Sequence, residues 1–264
     1  MKLKLRLLYK LFRIILLFIN GLIIAGGIFP VIDVLWSAND AKTKRDALKI
    51  RWLTRFCGIV NLHIIQEGTS PEPGALIVSN HISWLDIIAI GQCVPAYFIA
   101  KSDISSWPII GYLAKQGGTL FIRRGDKQHI RTMSEKMVWL LKQNASIVAF
   151  PEGTTTNGDG VLAFHPSLFQ PALLTRCPVQ PVAIQYLGAA RFQAPFIGDD
   201  DFISHLFKIL SLEKFEVKLT FLPAISSRDN NRRSISAETR NLIFEIISGA
   251  TSTGNAVPPM RKHL

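Results

Sequence analysis

Acidic residues and cysteines are both scarce in this chain. Asp and Glu number 19 against 30 Lys and Arg in 264 residues, a formal charge of +11. That imbalance points to an anionic partner: nucleic acid, an acidic membrane surface or a phosphate-rich substrate. The three cysteines, Cys57, Cys93 and Cys177, lie far apart and form no CxxC pair. A disulfide framework and a zinc site are therefore not expected, and the thiols read as buried groups in a reducing compartment. No internal repeat and no low-complexity segment is found. An aromatic-rich basic face is also lacking, so nucleic acid accounts for the charge but for nothing else, and is set aside.

What is abundant is hydrophobicity, at 48% of residues. Residues 1–13 carry Lys2, Lys4, Arg6, Lys10 and Arg13 with no acid, and residues 14–32 are apolar apart from Asn20. No A-x-A-like site closes the run, which argues against a cleaved signal peptide. Its length argues against a helix buried in a soluble core. A spanning helix and a monotopic hairpin remain. Between residues 41 and 55, Lys42, Lys44, Arg45, Lys49, Arg51 and Arg55 face one acid, Asp46. Both flanks are thus cationic, which a simple span does not explain. The hairpin is preferred, with Gly26-Gly27 and Pro30 breaking the helix and returning the chain to the same leaflet.

From about residue 60 short β-rich runs alternate with amphipathic ones. Strands are expected at 60–66, 75–79, 96–100, 118–123, 146–150, 179–185 and 214–223, and helices at 84–92, 105–115, 127–143, 168–175 and 235–249. In the third helix Ile130, Met133, Met137, Leu140 and Leu141 recur at helical spacing and read as core. The pattern predicts an α/β domain with a mixed, largely parallel sheet flanked by helices. In such sheets ligands gather beyond the carboxyl ends of strands. Asn80-His81, Lys101, Arg123-Arg124 and Glu152-Gly153 all follow strand candidates, so four strand ends converge on one edge.

Taken singly, each motif has an ordinary explanation. In Ser79-Asn80-His81-Ile82-Ser83-Trp84-Leu85-Asp86, five residues on one helix place His81 and Asp86 about 140° apart, facing away from each other. With His81 in a strand-to-helix loop, Asp86 in the first turn can reach back to it. Ser83-x-x-Asp86 is also a capping-box pattern, so cap and catalyst both stand at this point. Arg123 and Arg124 suit a phosphate clamp, or a solvated turn with Gly125-Asp126. Phe150-Pro151-Glu152-Gly153-Thr154-Thr155-Thr156 is a tight turn whose threonines and amides can hydrogen-bond a head group, or a plain surface loop. Lys101 and Trp107-Pro108-Ile109-Ile110-Gly111 offer a cation and an apolar edge for an acyl channel, lipid or core. His165 lacks an orienting acid, and His63, His129, His205 and His263 read as structural or surface.

In order and interval, NHISWLD, FIRRGD, FPEGT and Val179-Gln180-Pro181-Val182-Ala183-Ile184 resemble the four motifs of the glycerolipid acyltransferases. These are the 1-acylglycerol-3-phosphate or lysophospholipid acyltransferases, and the resemblance covers roughly residues 60–225. Residues 100–111 resemble that family's Lys-x-Glu segment, with Asp103 where glutamate is usual. The resemblance implies acyl transfer from acyl-CoA or acyl-carrier protein to a lysolipid hydroxyl, without metal or cofactor. His81 is then the general base and Asp86 orients it. The hydroxyl attacks the thioester directly, without an acyl-enzyme. Arg123, Arg124, Glu152 and Gly153, with Thr154 and Lys101 nearby, hold the acceptor, and Pro181 shapes the site. An oxyanion stabiliser is required; amides near Glu152-Gly153 or at the helix after His81 are candidates.

One departure bears on the acceptor. Many members acting on lysophosphatidate continue FPEGT with Arg-Ser, where this chain has Thr155-Thr156. Lysophosphatidate is placed first, ahead of a lyso-ornithine lipid or a zwitterionic lysophospholipid. A non-catalytic lipid-binding protein and a thioester hydrolase are the rivals of other classes. The expected organisation is a membrane-anchoring helical segment at 1–56, the acyltransferase domain at 57–250 and a polar tail at 251–264. The expected place is the inner membrane, with the catalytic domain facing the cytoplasm.

Overall fold

Helix-favouring apolar residues carry the chain from its basic start into one long helical hairpin. In the computed structural model, which describes residues 2–123 and 125–249, α1 spans Lys2–Ile23 and a π-helical turn follows at Ile24–Ile28. Helix α2 takes Phe29–Leu35, and after Trp36-Ser37 helix α3 runs over Ala38–Val60. Gly26-Gly27 and Pro30 do not turn the chain, contrary to expectation. The glycines are absorbed in the wide π turn, which loosens the hydrogen-bond ladder where Pro30 has no N–H to give. The reversal falls instead at Ser37, whose Oγ accepts the Asp40 N–H and caps α3.

Returning, α3 lies antiparallel along α1 and α2. Arg45 pairs with Asp33 at 2.8 Å, and Trp52 Nε1 donates to the Leu17 carbonyl at 2.9 Å. At the base of the hairpin the buried Lys10 ammonium donates to the carbonyls of Val60 at 3.1 Å and Leu212 at 2.7 Å. The outward side of α1 stays apolar and exposed, with Leu5, Leu8, Phe12, Ile15 and Ile19 in that stripe. The helical stretch Lys4–Leu35 is long and apolar enough to cross a membrane.

The remaining chain lays down β1 (Leu62–Gly68), β2 (Leu76–Ser79), α4 (Leu85–Cys93), β3 (Ala96–Lys101), α5 (Pro108–Gln116), β4 (Leu120–Ile122), α6 (Lys127–Lys142) and β5 (Ser146–Ala149). Then follow α7 (Gln170–Thr175), β6 (Val179–Leu187), α8 (Ala190–Gln193), α9 (Phe202–Ser211), β7 (Phe215–Phe221) and α10 (Arg232–Ile247). The seven strands form one sheet in the order β1-β7-β6-β2-β5-β3-β4, parallel throughout except between β6 and β7. All seven anticipated strands are present, within a few residues at their ends. Alternate residues feed two cores. Ile77, Val148, Ile184 and Val217 pack beneath α1, α3, α4 and α9. On the other face Leu76, Val78, Ile147 and Ala183 meet α6, α7 and α10. Of the α6 stripe, Met133, Met137, Leu140 and Leu141 are buried as core, while Ile130 is exposed.

Helix α9 lies outside the sequence expectations. Its signal is Asp201, whose carboxylate accepts the Ser204 N–H as a cap, ahead of Phe202, Leu206 and Ile209 at helical spacing. Arg124, His263 and the expected tail at 251–264 lie outside the described residues.

Lys10→Met should leave the Val60 and Leu212 carbonyls without a donor and cost about 1–3 kcal/mol. Thermal unfolding of the purified protein in detergent measures this, and an unchanged midpoint would show that the hairpin is held by apolar packing alone.

Candidate active site

From the last residue of β2 onward, side chains add to and then take over the pairing that backbone supplies within the sheet. Ser79 Oγ donates to the Val182 carbonyl at 2.7 Å. Asn80 then makes a two-point contact with β6: its Nδ2 donates to the Ile184 carbonyl at 3.0 Å and its Oδ1 accepts the Ile184 N–H at 2.8 Å. Asn80 thus mimics one more rung of the ladder, while the main chain is free to turn away into a loop. His81 is the first residue of that turn.

Asp86, in the first turn of α4 and fully buried, gathers the loop around itself. Its Oδ2 accepts the N–H groups of Ile82 at 2.7 Å and Ser83 at 3.0 Å, and lies 2.8 Å from His81 Nδ1. Its Oδ1 accepts the hydroxyl of Tyr186 at 2.8 Å. A carboxylate only accepts, so Nδ1 carries a proton, and in the neutral ring the lone pair is then on Nε2. The capping box forms by half: Asp86 reaches back to the Ser83 amide, but the residue flanking the helix is Trp84 and no side chain caps it. The His81 ring stacks on Phe150 with centroids 4.0 Å apart and planes 15° from parallel. Two contacts therefore hold the imidazole, one along its edge and one on its face.

Glu152 approaches the same loop from β5, the neighbour of β2. Its Oε1 accepts the His81 N–H at 2.8 Å and its Oε2 accepts the Leu162 N–H at 2.9 Å. Both oxygens are taken by the protein's own backbone, so Glu152 ties two loops together and does not face a head group as expected. Burial holds its pKa above the ordinary carboxylate range, against the pull of these two donors. Next to it, Gly153 adopts φ +73°, the left-handed conformation that suits glycine, and its N–H goes to the Phe150 carbonyl at 3.1 Å. The candidate oxyanion amides of Gly153, Ile82 and Ser83 are thus already engaged. Thr154 is exposed at the loop surface. Thr155 Oγ1 donates to the Phe196 carbonyl, and the Thr156 N–H to that of His81 at 2.9 Å.

The other expected residues spread along the same sheet edge. Lys101 closes β3 two strands from β2, half-exposed and paired with Asp103 at 2.5 Å. That ammonium holds the Asp103 carboxyl below its usual range. Arg123 is exposed past β4, three strands or about 14 Å from β2. Pro181 is not on the site wall; it sits inside β6 opposite Val78. Its carbonyl accepts the Leu222 N–H, and the Leu222 carbonyl, which proline has no N–H to meet, accepts the side-chain Nε2 of Gln180 instead.

Sequence reasoning missed Tyr186, and it named Asn80 and Phe150 within their motifs without giving either a role of its own. Tyr186, the single aromatic residue of β6, was the available signal, since a buried phenol seeks a partner. The apolar edge at residues 107–111, read as a wall for an acyl channel, lipid or core, does border a cavity through Trp107 and Ile110. An apolar space of about 330 Å³ opens between the hairpin and the sheet, lined by Phe18, Trp52, Trp84, Ile87, Phe98, Trp107 and Ile110 among others. Trp84 joins it to the dyad loop. Its indole N–H donates to His205 Nδ1 at 3.0 Å, and His205 Nε2 lies 3.1 Å from the Pro195 carbonyl.

A buried acid thus orients an imidazole, and Trp84 links their loop to an apolar cavity. Residues 60–185 match the family model described as Acyltransferase. A lyso-ornithine lipid O-acyltransferase of Pseudomonas aeruginosa is 36% identical over 215 residues, 81% of this chain and 83% of that protein. A 1-acyl-sn-glycerol-3-phosphate acyltransferase of Neisseria gonorrhoeae is 33% identical over 176 residues, 66% of this chain and 69% of its counterpart. The crystal structure of the 1-acyl-sn-glycerophosphate (LPA) acyltransferase PlsC from Thermotoga maritima shares the fold. It has a TM-score of 0.70 at 17% identity, over 95% of this chain and all of that one. The chain belongs to the lysolipid acyltransferase family and is an acyltransferase.

Because burial raises the folded-state pKa of Glu152, its proton favours the fold at acid pH. That contribution fades as the pH climbs through the raised value. Glu152→Gln should remove this slope and, by turning an amide N–H₂ toward one backbone donor, cost about 1–3 kcal/mol. Unfolding midpoints from about pH 4 to 7 read both effects; parallel curves for the two proteins would count against the assignment.

Proposed function

We propose that the protein transfers an acyl chain from a soluble thioester, acyl-CoA or acyl-carrier protein, to the free hydroxyl of a membrane lysolipid. The observation that carries this reading is the His81 imidazole, held by Asp86 on one nitrogen with the other left basic. His81 Nε2 takes the acceptor's hydroxyl proton as the oxygen attacks the thioester carbonyl. Asp86 stabilises the imidazolium that results. The tetrahedral oxyanion collapses, the new C–O bond stays and the C–S bond breaks. The thiolate leaves with the proton returned by His81. None of the cysteines serves as a nucleophile in this scheme: burial pushes Cys57 up to about 12 and Cys93 up to about 11, and Cys177 upward too, so all three are thiols at neutral pH. No metal or cofactor enters this scheme.

The acyl chain lies in the apolar cavity, and the acceptor enters over the polar sheet edge past Gly153 and Thr154, with Lys101 and Arg123 further along that edge. As acceptor we place a lyso-ornithine lipid ahead of lysophosphatidate. Residues 150–160 contain no lysine or arginine, and Thr155 and Thr156 turn their hydrogen-bonding groups inward, so this loop offers a phosphate no cation. The longer match at higher identity to a lyso-ornithine lipid enzyme supports the same choice. Arg123 keeps lysophosphatidate as the second reading.

The hairpin lies in one leaflet. As a helix, the 32 residues of Lys4–Leu35 reach about 48 Å, against about 30 Å of hydrocarbon. A crossing would also drag Lys42, Lys44, Arg45 and Lys49 on the antiparallel α3 into lipid at about 2.5–3.5 kcal/mol each. Lying in the inner-membrane interface keeps these cations among head groups and the active site on the cytoplasmic side.

His81→Ala and Asp86→Asn should each lower kcat by about 100-fold or more while the protein stays folded and membrane-bound. Near wild-type turnover in either purified variant would sink the mechanism. A panel of lysolipids with both donors, read by mass spectrometry, should show ornithine lipid as the preferred product. Preference for phosphatidate would reverse the acceptor assignment, and free thiol formed without lysolipid would mark a hydrolase.

A further inference from the structure

The loop after Glu152 carries a charged pair that contributes little to holding the fold. Arg191, in α8, donates to Asp159 Oδ1 at 2.7 Å, and both side chains are more than half exposed. An exposed pair of this kind contributes little to stability. It borders a pocket of about 250 Å³ that also includes Asn157, Gln185 and Ile82. Ile82 follows His81 directly and gives its N–H to Asp86, and Tyr186, whose hydroxyl also binds Asp86, lines the same pocket. The pocket therefore backs onto the dyad.

Its chemistry is balanced in charge. Asn157 Nδ2 donates to Asp159 Oδ2 at 2.7 Å and orients that carboxylate, leaving Oδ1 to the guanidinium. Arg191 also lies 6.0 Å from the centre of the Phe192 ring, which is 76% exposed, so the polar pocket opens beside an apolar rim. A polar pocket with an apolar lip matches a lipid whose head group is charged and whose body is not.

We propose that Asp159 and Arg191 form the acceptor's head-group subsite and recognise a zwitterion, one ammonium and one anionic group. This rests on the reading of the acceptor given above and specifies it. In the empty site the two side chains satisfy each other. A bound zwitterion takes both over: Arg191 receives its carboxylate or phosphate in a paired, charge-assisted contact, and Asp159 receives its ammonium. Lysophosphatidate would gain from Arg191 but meet repulsion from Asp159, so the acid is the residue that discriminates.

The test uses the purified full-length protein with one acyl-CoA and three acceptors: a lyso-ornithine lipid, lysophosphatidylethanolamine and lysophosphatidate. Arg191→Ala should raise KM for the zwitterions by about 10-fold or more with little change in kcat, and Arg191→Lys should recover part of the loss. Asp159→Asn should raise KM for the zwitterions and lower it for lysophosphatidate. Which zwitterion loses more separates a carboxylate from a phosphate as the anion that Arg191 reads. KM values unchanged, or shifted by one factor for all three acceptors, would reduce the pair to a loop tie and overturn the proposal. A wild-type protein that acylates lysophosphatidate alone would overturn the acceptor reading itself, and this subsite with it.

Discussion

One carboxylate organises the site. Asp86 accepts two backbone amides, an imidazole and a phenol while shut off from solvent, so its charge is solvated entirely by protein. Burying such a group without partners would be prohibitive; with four donors it becomes the point on which β2, α4 and β6 must agree. Loop, helix start and strand are joined by these bonds, and the orientation of His81 follows. Burial and the adjacent Asp86 charge hold the Tyr186 phenol far above its ordinary value, so it remains a donor under all ordinary conditions.

Around that point the architecture repeats one device: polar side chains complete what backbone geometry leaves open. Asn80 replaces a ladder rung, Glu152 takes two loose amides, and Lys10 takes two loose carbonyls at the base of the hairpin. Each of these residues is a charged or amide group in an otherwise apolar setting, and each joins segments remote in the chain. The apolar cavity lies between the hairpin and the sheet because α3 is bound to α1 on one side and packs against α4 on the other. The helical hairpin and the element that carries the dyad therefore share one wall, Trp84 included.

The difference between Glu152 as expected and Glu152 as found is instructive. A carboxylate soon after a buried strand reads as functional, because desolvation makes an idle acid costly. The same cost is met equally well by two backbone donors, and no local pattern reveals that Leu162 will return to supply one. Pro181 tells a similar story, since its missing N–H is tolerated only because Gln180 donates to the Leu222 carbonyl in its stead. Gly26-Gly27 and Pro30 read as a break because glycine and proline weaken a regular helix. A π turn absorbs them, with Tyr112 of α5 within 3.2 Å of where a Cβ on Gly26 would stand.

The sequence alone determined what depends on short-range order. The seven strands, most of the helices, the parallel edge along which His81, Glu152, Lys101 and Arg123 follow their strands, and the basic apolar helical start all follow from periodicity, turn residues and charge. Spacing put Asp86 one turn into a helix behind His81. Only the tertiary structure decided who stands opposite whom. Tyr186 is 100 residues from Asp86, Asn80 is 104 from Ile184, and Lys10 is 202 from Leu212. Such pairings are selected by the cost of leaving buried polar groups unsatisfied, and that cost arises only once the whole sheet and the hairpin have closed around them.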